Sequence, residues 1–343
     1  MCDSRYSLIM SSDSTVDANR QAERFQVLAL DGGGVLGIFT AAFLAQLEQD
    51  IGKPVAQSFD LIVGTSTGGI IAAGLGAGLS AASILEAYVE GASEVFPGPR
   101  SLRQLRQAVR PKYPDAGRER LLRALLGEMT LGESCKPLVL PSFNLGSHNV
   151  YLFKTPHHER LRRDWRVPLW HAAMATSAAP TYFPAFELPS DHSRLIDGGV
   201  WANNPCMVGV AEAVSLFDRP LCSVRLLSIG TTSPHRRRRR RLDHGGLLQW
   251  VRSPTILDTL MAGQSVGAFT QAVHLLGPEQ AHRVDVPTPA GRFRLDHANP
   301  RDLIAAAGDT SRTFCPTYDS VFGDHEPEPY VPFHRPHLKE NVA

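Results

Sequence analysis

The chain has 343 residues, enough for one large α/β domain or two smaller ones with a substantial core. Its 35 Lys and Arg balance 34 Asp and Glu, so global electrostatics name no partner and give no reason to expect a nucleic acid polymer. The five cysteines (Cys2, Cys135, Cys206, Cys222, Cys315) form no C-x-x-C pair and are odd in number, which argues against a disulfide scaffold or a zinc site and fits a reducing cytosol.

Residues 1–24 carry Asp3, Asp13 and Asp17 and no apolar run of signal-peptide length, so they read as a flexible tail. The run Phe25–Leu30, FQVLAL, predicts a strand that enters Asp31-Gly32-Gly33-Gly34-Val35-Leu36-Gly37. A helix follows, with Phe39, Phe43 and Leu47 at four-residue spacing; Asp50 closes it, and it stops near Gly52, before Pro54. Gly32, Gly33 and Gly34 bare successive backbone N–H groups, a nest suited to an anion. That anion is either a phosphate or the oxyanion formed when a serine attacks an acyl carbonyl. Gly32, Gly34 and Gly37 fit G-x-G-x-x-G, yet no acidic residue closes a strand about 20 residues on. There is no P-loop Lys-Ser/Thr either, so the oxyanion is the better reading.

From Leu61 to Leu85 the chain has no charged residue, long enough to span a bilayer. Six glycines and Thr65-Ser66-Thr67 between Leu61 and Leu79 make it poor material for a lipid-facing helix. The prediction is a short buried strand ending at Val63, a tight turn from Gly64 to Gly68, and a small-residue helix from Gly69. The turn fits G-x-S-x-G, in which a serine, here Ser66, sits on a sharp strand-to-helix turn at the positive end of the helix. The motif alone is weak, and a purely structural glycine turn is the alternative.

Residues 97–130 read as a basic helical insertion that covers the site as a lid. Arg100, Arg103, Arg106 and Arg110 accompany a stripe of Leu102, Leu105 and Val109. Such a helix is a solvated cover, a contact for anionic lipid or the wall of a phosphate pocket. Further strands are predicted at Pro137–Leu140, Val150–Phe153 and Val224–Ile229. His157 and His158 lack ligand partners at metal spacing, so no metal is expected. Asp197 ends an apolar run and precedes Gly198 and Gly199, which let its carboxylate be approached closely. Partial burial would raise its pKa toward what a general base for Ser66 requires, although an ordinary Asp-Gly turn is commoner. The run Arg236–Arg241 reads as a loop of mutually repelling charges, with a phosphate or headgroup contact as the alternative, and 322–343 as a Pro-rich tail, extended against the body or loose.

Taken in order, Asp31–Gly37, Gly64–Gly68 and Asp197–Gly199 resemble the oxyanion loop, nucleophile elbow and dyad aspartate of the patatin-like phospholipases. The segment Ala175–Pro184 is similar too, and the likeness runs from about Phe25 to Leu227. The resemblance implies Ser66 as nucleophile, Asp197 as its direct base, and an oxyanion hole of Gly32, Gly33 and Gly34. It gives supporting roles to Asp31, Gly37, Gly64, Gly68, Gly198 and Gly199, and it implies no cofactor. Leu36 stands where the family often has a basic residue, which puts any lipid-phosphate role for that side chain in doubt. Within the family the pattern is most similar to the phospholipase effectors of bacterial anti-phage defence that a cyclic dinucleotide such as a cGAMP activates. That branch implies a cytoplasmic enzyme acting at the inner face of the cell membrane on phospholipid, with peripheral membrane contact. Self-association is left open.

The expected architecture is one three-layer α/β domain over 25–321, with a mostly parallel sheet between helices. Two rivals remain: an esterase with a Ser-Asp-His triad drawing on His244, His274, His282 or His297, and a nucleotide-binding module in which Ser66 is structural.

Overall fold

The computed structural model describes residues 24–97, 110–234, 246, 255–288 and 295–335. Arg100, Arg103, Arg106, His244 and the Arg236–Arg241 run lie outside them. Strand β1 (Phe25–Leu30) is buried along its whole length, as a central strand between two helical layers must be. Helix α1 (Gly37–Ile51) ends at Gly52, which takes the left-handed conformation at φ 70°, and Pro54 follows. Strand β2 (Leu61–Gly64) and helix α2 (Thr67–Gly76) divide the uncharged stretch where the glycines fall, and α2 is buried throughout. Among the described residues no helix is long and apolar enough to cross a membrane.

Helices α3 (Ala81–Val95) and α4 (Ala116–Leu126) follow, then the antiparallel pair β3 (Leu138–Asn144) and β4 (Asn149–Lys154) and helix α5 (Leu169–Thr176). Short β5 (Phe186–Glu187) and β6 (Arg194–Asp197) lead to α6 (Gly199–Ala202) and α7 (Cys206–Leu216). Strand β7 (Val224–Ile229), β8 (Ser233–Pro234), α8 (Thr255–Leu276), β9 (Ala281–Val284), β10 (Pro287–Thr288) and α9 (Pro300–Val321) complete the described elements. The tail beyond α9 is anchored as far as it is described: His325 Nε2 meets Asp60 at 2.7 Å, and the Phe333 N–H donates to the Pro156 carbonyl at 2.8 Å.

The main sheet has eight strands, of which β9, β7, β1, β2 and β3 are parallel neighbours. Alternate residues of β1 enter separate cores. Leu28 and Leu30 join the layer of α1, α2 and α5, whereas Val27 and Ala29 join that of α7 and α8. This is a three-layer α/β fold.

One irregularity matters for chemistry. Strand β3 pairs with β4 along one edge over Val139–Asn144. On its other edge it pairs with β2 at Leu138 and Val139, and with β6 at Ser142–Asn144. Strand β2 runs parallel to β3 and β6 antiparallel, so their carboxyl ends point at each other across the width of Pro141.

Candidate active site

Ser66 leaves the end of β2 and Asp197 ends β6, so the head-on meeting of the two strands brings them together. Ser66 and Asp197 line one cleft, the Ser66 hydroxyl near enough to favour the ionised form of the Asp197 carboxyl, and both residues are buried. Ser66 holds φ 55° and ψ −122°, a strained conformation that non-glycine residues enter only when their surroundings enforce it. The enforcement is visible. The Ser66 N–H donates to Thr176 Oγ1 at 3.1 Å, and that hydroxyl donates onward to the Pro141 carbonyl at 2.5 Å. A Cβ on Gly64 would meet the Gly68 carbonyl, and one on Gly68 the Leu30 carbonyl, so this strand-to-helix crossing admits no side chain at either place.

Asp197 receives the Gly199 N–H at 2.7 Å, where Gly198 and Gly199 open α6. Burial raises its carboxyl pKa from 3.8 to about 6, against the opposing pull of the Ser66 hydroxyl, the Gly199 N–H and the Arg118 charge. The result is a carboxyl that titrates near neutrality, as a general base must.

The glycine loop lies beside Ser66. Gly33 and Gly34 line the same cleft as Ser66 and Asp197, and their N–H groups have no hydrogen-bond partner among the described residues. Gly32 differs from the sequence reading: its N–H donates to the Asn203 carbonyl at 2.9 Å, so it is engaged in the fold. Gly34 has φ +59°, and a Cβ there would run into the Leu295 carbonyl, which also receives the Val35 N–H at 2.8 Å. Behind the loop, Asp31 accepts from both Nη atoms of Arg283, at 3.3 and 2.7 Å. Arg283 also donates to Ser228 and Asp285, at 2.8 Å each. Gly37 opens α1 against Thr67.

The cleft encloses ≈ 950 Å³ including its open mouth. One arm runs between α2, α3 and α4 and is walled by Ile70, Tyr88, Val95, Phe96, Leu121 and Phe183, all apolar or aromatic. The described part of the basic insertion contributes Arg118, Leu121 and Leu122 to the lining. Arg110 does not reach it: the residue is exposed and lies outside the lining. No histidine lines the cleft, and His274, His282 and His297 all lie away from it, which disfavours a Ser-Asp-His triad among the described residues. No cluster of metal-ligating side chains occurs among the described residues.

Sequence reading gave no role to Thr176, Asn203 or Arg283, and named Arg118 only as one basic residue of the insertion. Thr176 and Asn203 flank recognised motifs, and Arg118 falls four and eight residues before Leu122 and Leu126 on the buried face of α4. Arg283 carries no local signal.

The fold, the elbow serine and the adjoining glycine loop are those of the patatin type. The family profile described as patatin-like phospholipase matches residues 28–210, and the chain belongs to that family. It is 38% identical over 210 residues to the cGAMP-activated phospholipase of Pseudomonas aeruginosa, covering 60% of this chain and 62% of that one. Identity to the Escherichia coli protein of the same name is 37% over 235 residues, covering 65% of each. Patatin-like protein 2 of Oryza sativa subsp. indica is 31% identical over 290 residues, covering 73% of this chain and 71% of the relative. The chain thus spans less than two thirds of the length of the bacterial relatives.

Proposed function

We propose that the protein is a phospholipase that hydrolyses acyl esters of glycerophospholipids through Ser66 and Asp197. The observation that carries this reading is that Ser66 and Asp197 meet in one cleft, beside the two unengaged N–H groups of Gly33 and Gly34. Asp197 accepts the Ser66 proton as the serine oxygen adds to the ester carbonyl, and the Gly33 and Gly34 N–H groups receive the oxyanion. Collapse expels the lysophospholipid alkoxide, which takes the proton from Asp197. Water then gives a proton to Asp197 and attacks the acyl-enzyme; fatty acid leaves and the serine is restored. The apolar arm between α2, α3 and α4 takes the acyl chain.

Activation by a cyclic dinucleotide completes the proposal, with the cytoplasmic enzyme degrading the inner face of its own cell's membrane during phage infection. Its support is the similarity to relatives named for cGAMP activation. The test is release of fatty acid from phospholipid vesicles with and without a panel of cyclic dinucleotides that includes cGAMP, alongside Ser66→Ala. Hydrolysis that rises steeply with one of them, and vanishes in Ser66→Ala, is expected. Full activity without nucleotide, unchanged by any, would leave a constitutive patatin-like lipase; hydrolysis surviving Ser66→Ala would remove the dyad.

A further inference from the structure

A permanent cation reaches into this apolar cleft. Among the described lining residues, Arg118 is the sole lysine or arginine, and it is 2% exposed. It stands on the buried face of α4 in line with Leu122 and Leu126. Its Nη1 donates to Ser177 Oγ at 3.1 Å, and its Cζ lies 4.4 Å from the centre of the Phe183 ring. Its Nη2 donates to Asp115 at 2.7 Å, and its buried Nε has no hydrogen-bond partner among the described residues. Ser177 lies between the two residues that hold the dyad aspartate in place: the Asp197 N–H donates to the Ala178 carbonyl at 3.0 Å, and the Gly198 N–H to the Thr176 carbonyl at 3.3 Å. Arg118 is therefore seated on the loop that frames Asp197. A leucine or methionine would fill the space without the cost of burying a charge.

We propose that Arg118 is a positioning residue for the dyad: from its seat on Ser177 and Phe183 it braces the loop that frames Asp197 and sets a buried positive charge in the cleft that Asp197 and Ser66 share. This rests on the dyad reading above. Burial drives Asp197 toward the neutral acid, which cannot take a proton. The groups that oppose it are the Ser66 hydroxyl, the Gly199 N–H and Arg118. The first two are neutral, so Arg118 is the charge among them. Asp115, whose side chain is 27% exposed, partly offsets that charge from the far side.

The test is the pH profile of kcat/KM for the parent, Arg118→Met, Arg118→Gln and Arg118→Lys. It is measured with cGAMP present, on phospholipid vesicles and on the neutral soluble ester p-nitrophenyl butyrate, with thermal melts to establish folding. The neutral variants are expected to move the acid limb upward by on the order of one pH unit on both substrates, and lysine to restore it. An unmoved limb in a folded neutral variant overturns the assignment. So does a defect confined to vesicles, which would make Arg118 a headgroup contact. Should neither neutral variant fold, Asp115→Asn decides: relieved of its counter-charge, Arg118 should lower the limb, and an unmoved limb overturns the proposal. Failure of a fluorophosphonate to label Ser66 in the parent is a separate result and would overturn the dyad reading itself.

Discussion

The Thr67 hydroxyl donates to the Gly34 carbonyl at 2.7 Å, which ties the turn that carries Ser66 to the glycine loop. Thr67→Val keeps the methyl that packs on Gly37 and removes this bond, worth about 1 kcal/mol. We expect kcat to fall about tenfold, with KM and the melting temperature nearly unchanged. Steady-state hydrolysis checks it, and an unaltered kcat would uncouple the loop from turnover.

Gly34→Ala places a methyl in the left-handed region and against the Leu295 carbonyl. The loop must shift, and one oxyanion donor goes with it. Loss of such a donor lowers kcat by on the order of a hundredfold or more. Circular dichroism should show the fold intact, so a variant retaining near-parent turnover would place the oxyanion elsewhere.

Ser66→Ala and Ser66→Gly should both abolish hydrolysis, and they should differ in stability. The φ of 55° strains alanine as it strains serine, whereas glycine adopts it freely. Urea unfolding should find the glycine variant more stable than the alanine variant by about 1 kcal/mol, the low end of what such strain costs. Equal stabilities would mean the elbow is not strained.

If Asp197 is the base, its carboxyl, raised by burial to about 6, should set the acid side of the activity profile. The base form is the ionised one, so kcat/KM should climb as pH rises through about 6 and level off above it. The stability linkage has the opposite sign. The folded state binds this proton more tightly than the unfolded chain, so this group's contribution is greatest below 3.8 and declines as pH rises from 3.8 to about 6. Asp197→Asn should abolish hydrolysis and flatten that part of the stability profile, measured by urea titration at several pH values.

Arg283 neutralises Asp31 at the root of the glycine loop, with side-chain exposures of 17% and 4%. Arg283→Met would strand a buried carboxylate, at about 3–5 kcal/mol. Restoring much of that loss by adding Asp31→Asn would show that the charge, and not the packing, is responsible. Chemical denaturation of the two variants tests this.

The parts legible in the sequence are those that local pattern controls. The run Phe25–Leu30 announces a strand buried on both faces, and the glycines of 32–37 and 64–68 announce crossings too tight for side chains. Asp197 was recognisable from its glycines and from family resemblance. What the sequence could not display is pairing at a distance. Nothing near Asp31 points to Arg283, which lies 252 positions away. The Gly32 N–H looks as available as its neighbours until Asn203 folds over it. Arg118 was hidden differently: it sits among charges that read as a solvated face, and the four-residue spacing to Leu122 that betrays it is easily lost in an arginine-rich stretch.

The end-to-end meeting of β2 and β6 has a consequence for assembly. The dyad separation is measured out along a third strand, β3, and each residue of that strand advances it by about 3.3 Å. If β6 slipped by one residue, Asp197 would move by that distance and its side chain would turn to the opposite face of the sheet. Three residue pairs, Ser142 to Asp197 through Asn144 to Leu195, guard against this. On the dyad reading, turnover would be a vernier on strand registration. A chain that has folded with the right secondary structure but the wrong alignment would pass every spectroscopic test of helix and sheet and still be inert.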